Sequence, residues 1–517
     1  MFANQAAREP TFFASMARTV QRNGLKISAV LFLAALVFFV IFEWSAFVRA
    51  HLWLDEYFAL WAGDPRLPFS KVFYERMLPD TNAPTYFALI YLSQVLTPNE
   101  KAAILWLNGI GCVAFLGLLL WISWKKQNLE MGFLAATFFL ITAPALSFAI
   151  EGRVYFFSML LTLNAAFLVA SCIDEQEVTS RDIVLAAILG ALSSWLHVFA
   201  ALFCGALGAA MIVVGLFIAK RNDFIKFGFV MGGGAVVSFA IWIAFAYPMF
   251  SSTVTKGFWL VLDRELITST LWGVKQFSVG FTWAAPLGAL FVAISLLPRA
   301  TRALATAVIV TGAIFFAVPF ILSLRIVILQ DRYFLIGIPA LMILTLFLLR
   351  EHLAAMFAEN AGRTTYAAAA LGGAFLLAPI VTGPPSAWWH FGSRWDWRGI
   401  DVVEPLISSC KEGNVRVLTG GSLTAPDYPA RLSGFDYLLK NRLSFSDADK
   451  EPTRDVADIQ CPVYGWAEHY VRHGDRDWVV NANTQDVLNE FHLTNTSNVP
   501  LTIERHPGGL VLRRAGS

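Results

Sequence analysis

Two adjacent carboxylates, Asp55 and Glu56, stand in the stretch Trp53-Leu54-Asp55-Glu56-Tyr57, just after the first long apolar run. A membrane segment has ended there and a polar loop begins. A carboxylate pair at such a face can position a cation, accept a proton from a hydroxyl, or simply be solvated. The loop continues through Asp80-Thr81-Asn82-Ala83-Pro84-Thr85-Tyr86, a turn-rich, hydrogen-bonding segment leading back toward the bilayer. Further polar residues fall between later apolar runs. Glu151-Gly152-Arg153-Val154-Tyr155 fills a tight turn after Pro144, and His197 sits at the crest between two runs. Lys256, Asp263, Arg264 and Lys275 lie in a longer loop, and Arg325 precedes Gln330-Asp331-Arg332-Tyr333. Interfacial snorkelling accounts for any one of these charges, but charges at a membrane rim are costly and usually line a cavity. Arginine suits phosphate because its planar fork bonds two oxygens at once. A carboxylate opposite it can act as general base for an attacking hydroxyl. Together these residues point to chemistry on an amphipathic, anionic substrate, with a group transferred from a lipid phosphate carrier.

The elements that position these residues follow from composition. The chain has 517 residues, 57% hydrophobic and 15% charged, against an apolar share of about 45–50% in soluble proteins. Apolar runs of bilayer length recur from residue 27 to residue 382. A net charge of +2 gives no support to nucleic-acid binding. The first run, Ile27 to Val48, is too long for a cleaved leader and lacks a small-residue cleavage site, so it reads as a retained helix. Further spans are expected at 102–121, 131–150, 154–173, 183–196, 198–218, 227–247, 282–298, 303–323, 333–349 and 365–382, eleven in all. Pro84 to Leu96 is too short to cross and is expected as an interfacial helix.

Arg8, Arg18, Arg22 and Lys26 place the tail 1–26 in the cytoplasm, so Asp55 and Glu56 face outward. Lys125-Lys126, Lys220-Arg221 with Lys226, Arg299 with Arg302, and Arg350 with Arg363 then fall inside. Counting 84–96 as a span would invert all that follows. The acidic loop 174–182 lends this orientation no support, acidic residues weighing little in the rule. The membrane part is therefore 27–382, with its first external loop at 49–101.

From residue 383 the composition turns polar. Arg394-Trp395-Asp396-Trp397-Arg398-Gly399 opens a helix-like pattern (Ile400, Val403, Ile407). Val415 to Leu418, Trp478 to Val480, Leu501 to Ile503 and Leu510 to Leu512 read as strands, with a turn at Pro507-Gly508-Gly509. The fold class is thus a mainly α polytopic membrane protein with a C-terminal extracytoplasmic α/β domain at 383–517. Cys112, Cys172 and Cys204 lie in apolar runs, where a thiol acts as a small hydrophobe. Cys410 and Cys461 lie in the external part, where disulfides persist, and are expected to be bridged. No metal-ligand spacing appears among the cysteines.

This layout resembles the bacterial GT-C glycosyltransferases, a superfamily that includes protein mannosyltransferases and aminoarabinose transferases acting on lipid A. The family's acidic motif in the first external loop is matched by Asp55-Glu56. Its His-Pro-Pro-leu-tyr segment resembles Asn82-Ala83-Pro84-Thr85-Tyr86, with Asn82 in place of the histidine and Ala83 in place of the first proline. Glu151, Arg153 and Tyr155 match an external Glu-x-Arg-x-Tyr turn. Arg332-Tyr333, followed by Pro339, is similar to an Arg-Tyr motif opening a late helix, and Asp396-Trp397-Arg398-Gly399 to the segment beginning the external domain. The resemblance implies inverting transfer of a sugar from a polyprenyl-phosphate donor to a glycolipid, glycan or protein acceptor, at the periplasmic face of a bacterial inner membrane. It implies no fixed metal site and at most a loosely held divalent ion.

On this reading Asp55 is the catalytic base and Glu56 orients a partner or contacts the acceptor. Arg153, His197, Arg332 and Tyr333 hold the donor phosphate, and Asp80, Asn82, Tyr86, Glu151, Tyr155 and Lys256 contact substrate. Two alternatives stay open. An O-antigen ligase or polymerase also has many spans but tends to gather arginines and histidine in one large late loop. A lipid-linked sugar flippase would need charges along the spans and usually internal repeats. A reporter fused after Lys126 should read as cytoplasmic; an external signal would overturn the orientation.

Overall fold

A helix satisfies its own backbone hydrogen bonds, which is what a bilayer demands of any segment that crosses it. The computed structural model describes residues 12–49, 52, 54–80, 82–97, 99–255, 262–277, 301–325 and 328–357, and beyond them 415–418, 437, 443–445, 454–458, 463–466, 483–490, 493–506 and 509–515. Among these, seven helical stretches are long and apolar enough to cross a membrane: Asn23–Val48, Glu100–Lys125, Tyr155–Asp174, Val198–Ala219, Asn222–Ala246, Arg302–Ser323 and Asp331–Glu351. The chain is a mainly α, multi-pass membrane protein.

In chain order the helices are α1 (Phe12–Arg49), α2 (Leu54–Ala62), α3 (Phe69–Val72), α4 (Thr85–Leu96), α5 (Glu100–Lys125), α6 (Leu129–Ile141), α7 (Ala143–Phe148) and α8 (Tyr155–Asp174). There follow α9 (Ser180–Leu196), α10 (Val198–Val213), α11 (Asn222–Thr255), α12 (Arg264–Phe277), α13 (Arg302–Ser323), α14 (Asp331–Phe334) and α15 (Ile338–Phe357). Two expectations need correction: 183–196 forms α9, whose 17 residues are not among the seven stretches, and 131–150 is not a single span. Helix α6 stops at Ile141, and Thr142, extended at φ −73° and ψ 140°, accepts from the Ala145 N–H to start α7. Pro144 sits in the first turn of α7, where its missing N–H costs nothing, whereas inside a continuous helix it would break the ladder. Helix α4, with 12 residues, is too short to cross, as expected. The expected spans 282–298 and 365–382 lie outside the described residues.

Helix α8 is the pillar of the fold. Its apolar window is entirely buried inside the protein, and α5, α9, α10 and α15 all pack against it. Two of its polar side chains tie it to its neighbours: the Thr162 hydroxyl donates to Ile336 O at 2.8 Å, and Asn164 Nδ2 to Leu160 O at 2.8 Å and Phe115 O at 3.1 Å. Helices α10 and α11 meet backbone to backbone. A Cβ on Gly208 would stand 2.7 Å from Gly228 O and 2.8 Å from Gly232 N, the close approach that small residues allow between membrane helices.

Three of the basic residues that set the expected topology, Lys126, Arg221 and Arg350, gather at one end of α8. Lys126 Nζ lies 2.8 Å from Asp182 Oδ2 and 3.1 Å from Glu175 Oε2. The same Asp182 carboxylate closes a capping box with Thr179 at the start of α9. Arg350 pairs with Asp174, and Arg221 with Asp223 and the carbonyl of Gln176. The acidic loop 174–182, uninformative in the sequence, is the counter-charge for Lys126 and Arg350. Tyr155 stands at the opposite end of α8.

The C-terminal part carries strands β1 (Val415–Leu418), β2 (Leu443–Phe445), β3 (Arg454–Asp455), β4 (Val463–Trp466), β5 (Leu493–Thr494), β6 (Leu501–His506) and β7 (Gly509–Arg514), with the short helix α16 (Thr484–Glu490). Five form a mixed sheet of order β2-β1-β4-β7-β6, in which β1 runs parallel to β2 and β4 while β7 is antiparallel to β4 and β6. Strands β1, β6 and β7 coincide with expected ones, whereas β2 and β4 were not anticipated. Trp478 to Val480, Cys410 and Cys461 lie outside the described residues, so the expected bridge is neither drawn nor refuted by the geometry.

Gly208→Leu should force α10 and α11 apart, because the obstacle is backbone and cannot swing aside. Thermal unfolding of the purified protein should show a loss of at least about 1–3 kcal/mol. An unchanged midpoint would mean that this helix contact does not hold the bundle.

Candidate functional site

Asp55 and Glu56 lie in the first turn of α2, where the unpaired amides of a helix start favour negative charge. The side chain of Asp55 lies outside the described residues. Glu56 is buried at 4% exposure, and its Oε1 accepts from the Gly152 N–H at 3.0 Å. Any Cβ at Gly152 would meet Ile104 Cδ1 at 2.7 Å and lie 3.4 Å from Glu56 Cβ. A larger residue here would have to push the tip of Ile104 aside, so glycine lets the turn sit this close to α2 and α5 without that shift. The next residue, Arg153, places its guanidinium over the Phe58 ring of α2 at 5.9 Å.

Asn108 of α5 holds the same turn from the other side. Its Nδ2 donates to Ala149 O at 2.8 Å and Glu151 O at 2.9 Å, while its Oδ1 accepts from the Tyr86 hydroxyl at 3.4 Å. Burial, and then the charge of Glu56, hold Tyr86 well above its ordinary pKa, so it keeps its proton. Helix α2, helix α4, helix α5 and the turn 149–154 thus converge on one point.

A second cluster adjoins the first through Tyr155. The His197 ring lies 5.6 Å from Tyr155 and 4.9 Å from Tyr333, and Phe199 lies 5.1 Å from Tyr333. The Arg332 guanidinium stands over Tyr155 at 5.6 Å and over Tyr333 at 5.8 Å, with its Nε donating to Gln330 Oε1 at 2.7 Å. His197 caps the start of α10: its Nδ1 accepts from the Phe199 N–H at 3.1 Å. An accepting Nδ1 puts the neutral ring's proton on Nε2. Burial, then Arg153 and Arg332, push His197 from 6.5 down to about 3. It is a neutral N–H donor beside two fixed cations, a combination suited to an anionic oxygen.

The structure brings together Glu56, Tyr86, Glu151, Arg153, Tyr155, His197, Arg332 and Tyr333. Asp80 and Asn82 stand on the flank. Asp80 Oδ1 accepts from the Asn82 backbone N–H at 2.6 Å and from its Nδ2 at 2.8 Å. Neighbouring Ala83 packs with Trp242 and Ala246 of α11. Lys256 lies outside the described residues. Among the described residues no group of three His, Cys, Asp or Glu stands where it could hold a metal ion. Sequence reasoning missed Asn108, whose one signal was an amide inside an apolar run, a costly placement that usually marks a structural or functional bond.

No family model matches the chain, and no curated protein matches it in sequence. Solved structures do match in shape. ArnT from Cupriavidus metallidurans bound to undecaprenyl phosphate superposes with a TM-score of 0.56 at 12% identity, over 95% of this chain and 98% of that one. The apo state of the same protein gives 0.53 at 11% identity, over 94% and 97%. The apo oligosaccharyltransferase of Archaeoglobus fulgidus gives 0.50 at 11% identity, over 93% of this chain and 73% of that one. The chain has the GT-C fold. Within that GT-C fold the two clusters share one end of α8, and the ion pairs of Lys126 and Arg350 occupy the other.

The depressed His197 makes stability depend on pH. The folded ring stays neutral, whereas the unfolded chain takes up a proton below its ordinary value of 6.5. Stability is therefore full above about pH 6.5 and falls as the pH drops below it. His197→Gln removes the group, so its thermal midpoint should decline less between about pH 7 and pH 5 than that of the wild type. Parallel declines would place the protonation elsewhere.

Proposed function

We propose that this protein is an inverting glycosyltransferase that moves a sugar from a polyprenyl-phosphate donor to a cell-envelope acceptor. The acceptor class is lipopolysaccharide, lipid A or another envelope glycan, and the reaction takes place at the periplasmic face of a bacterial inner membrane. One observation carries the reading: Arg153, Tyr155, His197, Arg332 and Tyr333, scattered over almost 200 residues, gather beside the helix bearing Asp55 and Glu56. That the similarly folded ArnT was captured with undecaprenyl phosphate supports a polyprenyl phosphate as the anionic partner.

The chemistry follows from the charges. Asp55 removes the proton from the acceptor hydroxyl as its oxygen attacks the anomeric carbon. The bond from that carbon to the phosphate oxygen breaks on the opposite face, and the electron pair leaves with the phosphate. Arg153 and Arg332 hold that anion, with the His197 Nε2–H as a neutral donor. A phosphate is a stable leaving group and needs little acid assistance, so one carboxylate as base suffices. Glu56, engaged by the Gly152 amide, keeps α2 seated against the turn rather than taking the proton. Tyr86, Glu151 and Tyr155 belong to the acceptor side; the described residues group no three ligands that would fit a divalent ion.

The test is transfer by the purified protein from a polyprenyl-phosphate sugar, followed by mass spectrometry of the product. Asp55→Asn should lower the rate about 10²–10⁴-fold at an unchanged thermal midpoint. Asparagine caps a helix as well as aspartate does, so near-normal turnover would remove Asp55 from the mechanism. Arg332→Lys should weaken donor use although the charge is kept, because a point charge replaces a planar fork. Equal donor use would make Arg332 a structural anchor.

A further inference from the structure

The last turn of α2 ends in carbonyls that have no partner within the helix, and outside groups must satisfy them. Gln94 of α4 does so: its Nε2 donates to Leu60 O at 3.1 Å and to Gly63 O at 2.7 Å. Arg76 adds a bond to Trp61 O at 2.8 Å. The other end of the Gln94 amide is taken by a residue from far along the chain. The Tyr437 hydroxyl donates to Gln94 Oε1 at 2.7 Å, which fixes the amide with its NH₂ toward α2.

Three further contacts seat Tyr437. Asp64, fully buried just past α2, holds Arg66 in a two-point pair at 2.8 Å on each bond. Arg66 Nη2 donates in turn to Tyr437 O at 2.8 Å, and its guanidinium stacks over the Tyr437 ring at 4.4 Å. Tyr57, adjacent to Glu56, lies 6.5 Å from the same ring. Tyr437 itself is buried at 6% exposure, and burial holds its proton on the hydroxyl.

We infer that Tyr437 is a positioning residue: by orienting Gln94 and stacking under Arg66, it lets the C-terminal part of the chain fix the helix that carries Asp55. The inference rests on the reading of Asp55 as base, but its physical content, the coupling of Tyr437 to α2, can be measured without turnover. Tyr437 thus joins α2, α4 and the loop between them at one point.

Tyr437→Phe keeps the ring and removes only the bond to Gln94. In the full-length protein, hydrogen exchange of the α2 amides should become faster by about two- to tenfold, the range of one hydrogen bond's net contribution. The amides of α8 should be unaffected. With a polyprenyl-phosphate sugar as donor, kcat should fall by a similar factor while the donor KM stays put, because the base moves and the phosphate site does not. Gln94→Met removes the same bond from the other side, so adding Tyr437→Phe to it should change α2 exchange little further. Unchanged α2 exchange in Tyr437→Phe overturns the inference. If the wild type transfers no sugar while α2 still loosens in the variant, the transfer reading fails and the coupling stands.

Discussion

A buried carboxylate accepting a glycine amide is the contact on which the site depends. Glu56 Oε1 and the Gly152 N–H join α2 to the turn that opens α8. Glu56 is nearly sealed from solvent, so the amide bond it accepts has no water to replace it. Gly152 sits where a methyl group would collide with Ile104. From this point Arg153 is carried toward His197, and Tyr155 begins the pillar helix two residues later.

Helix α8 then separates two electrostatic worlds. At one end, cations meet aromatic faces and a histidine that burial and two guanidiniums keep neutral. At the other, Lys126 and Arg350 are matched by Asp182, Glu175 and Asp174. Charge balanced locally serves to tie helix ends, whereas cations grouped around stacked rings suit an incoming anion. This asymmetry along one buried helix underlies the proposal that the Tyr155 end does the chemistry.

Much of this was legible in the sequence, because its signals were periodic or chemical. Bilayer-length runs marked α1, α5, α8, α10, α11 and α13, and the turn at Glu151 to Tyr155 stood out as charge between two such runs. What escaped was set by single local bonds. Thr142 and Pro144 break the run 131–150, a decision made by one hydroxyl cap and one missing N–H. Asn108 was missed, since its partners are carbonyls about forty residues away. Tyr437 gave no signal at all: its role comes from Gln94 and Arg66, more than 340 residues earlier. The short strands β2 and β4 lack alternation long enough to declare a period.

The central claim is that the Arg153, His197 and Arg332 cluster receives the donor's phosphate. The most direct measurement is an experimental structure of the purified protein with a polyprenyl phosphate bound. The account predicts the phosphate within hydrogen-bond reach of the Arg332 guanidinium and the His197 Nε2–H, on the same side of the protein as α2. A phosphate seated at the Lys126 and Arg350 end, or one that leaves Arg332 in contact only with Gln330 and the tyrosine rings, would contradict it.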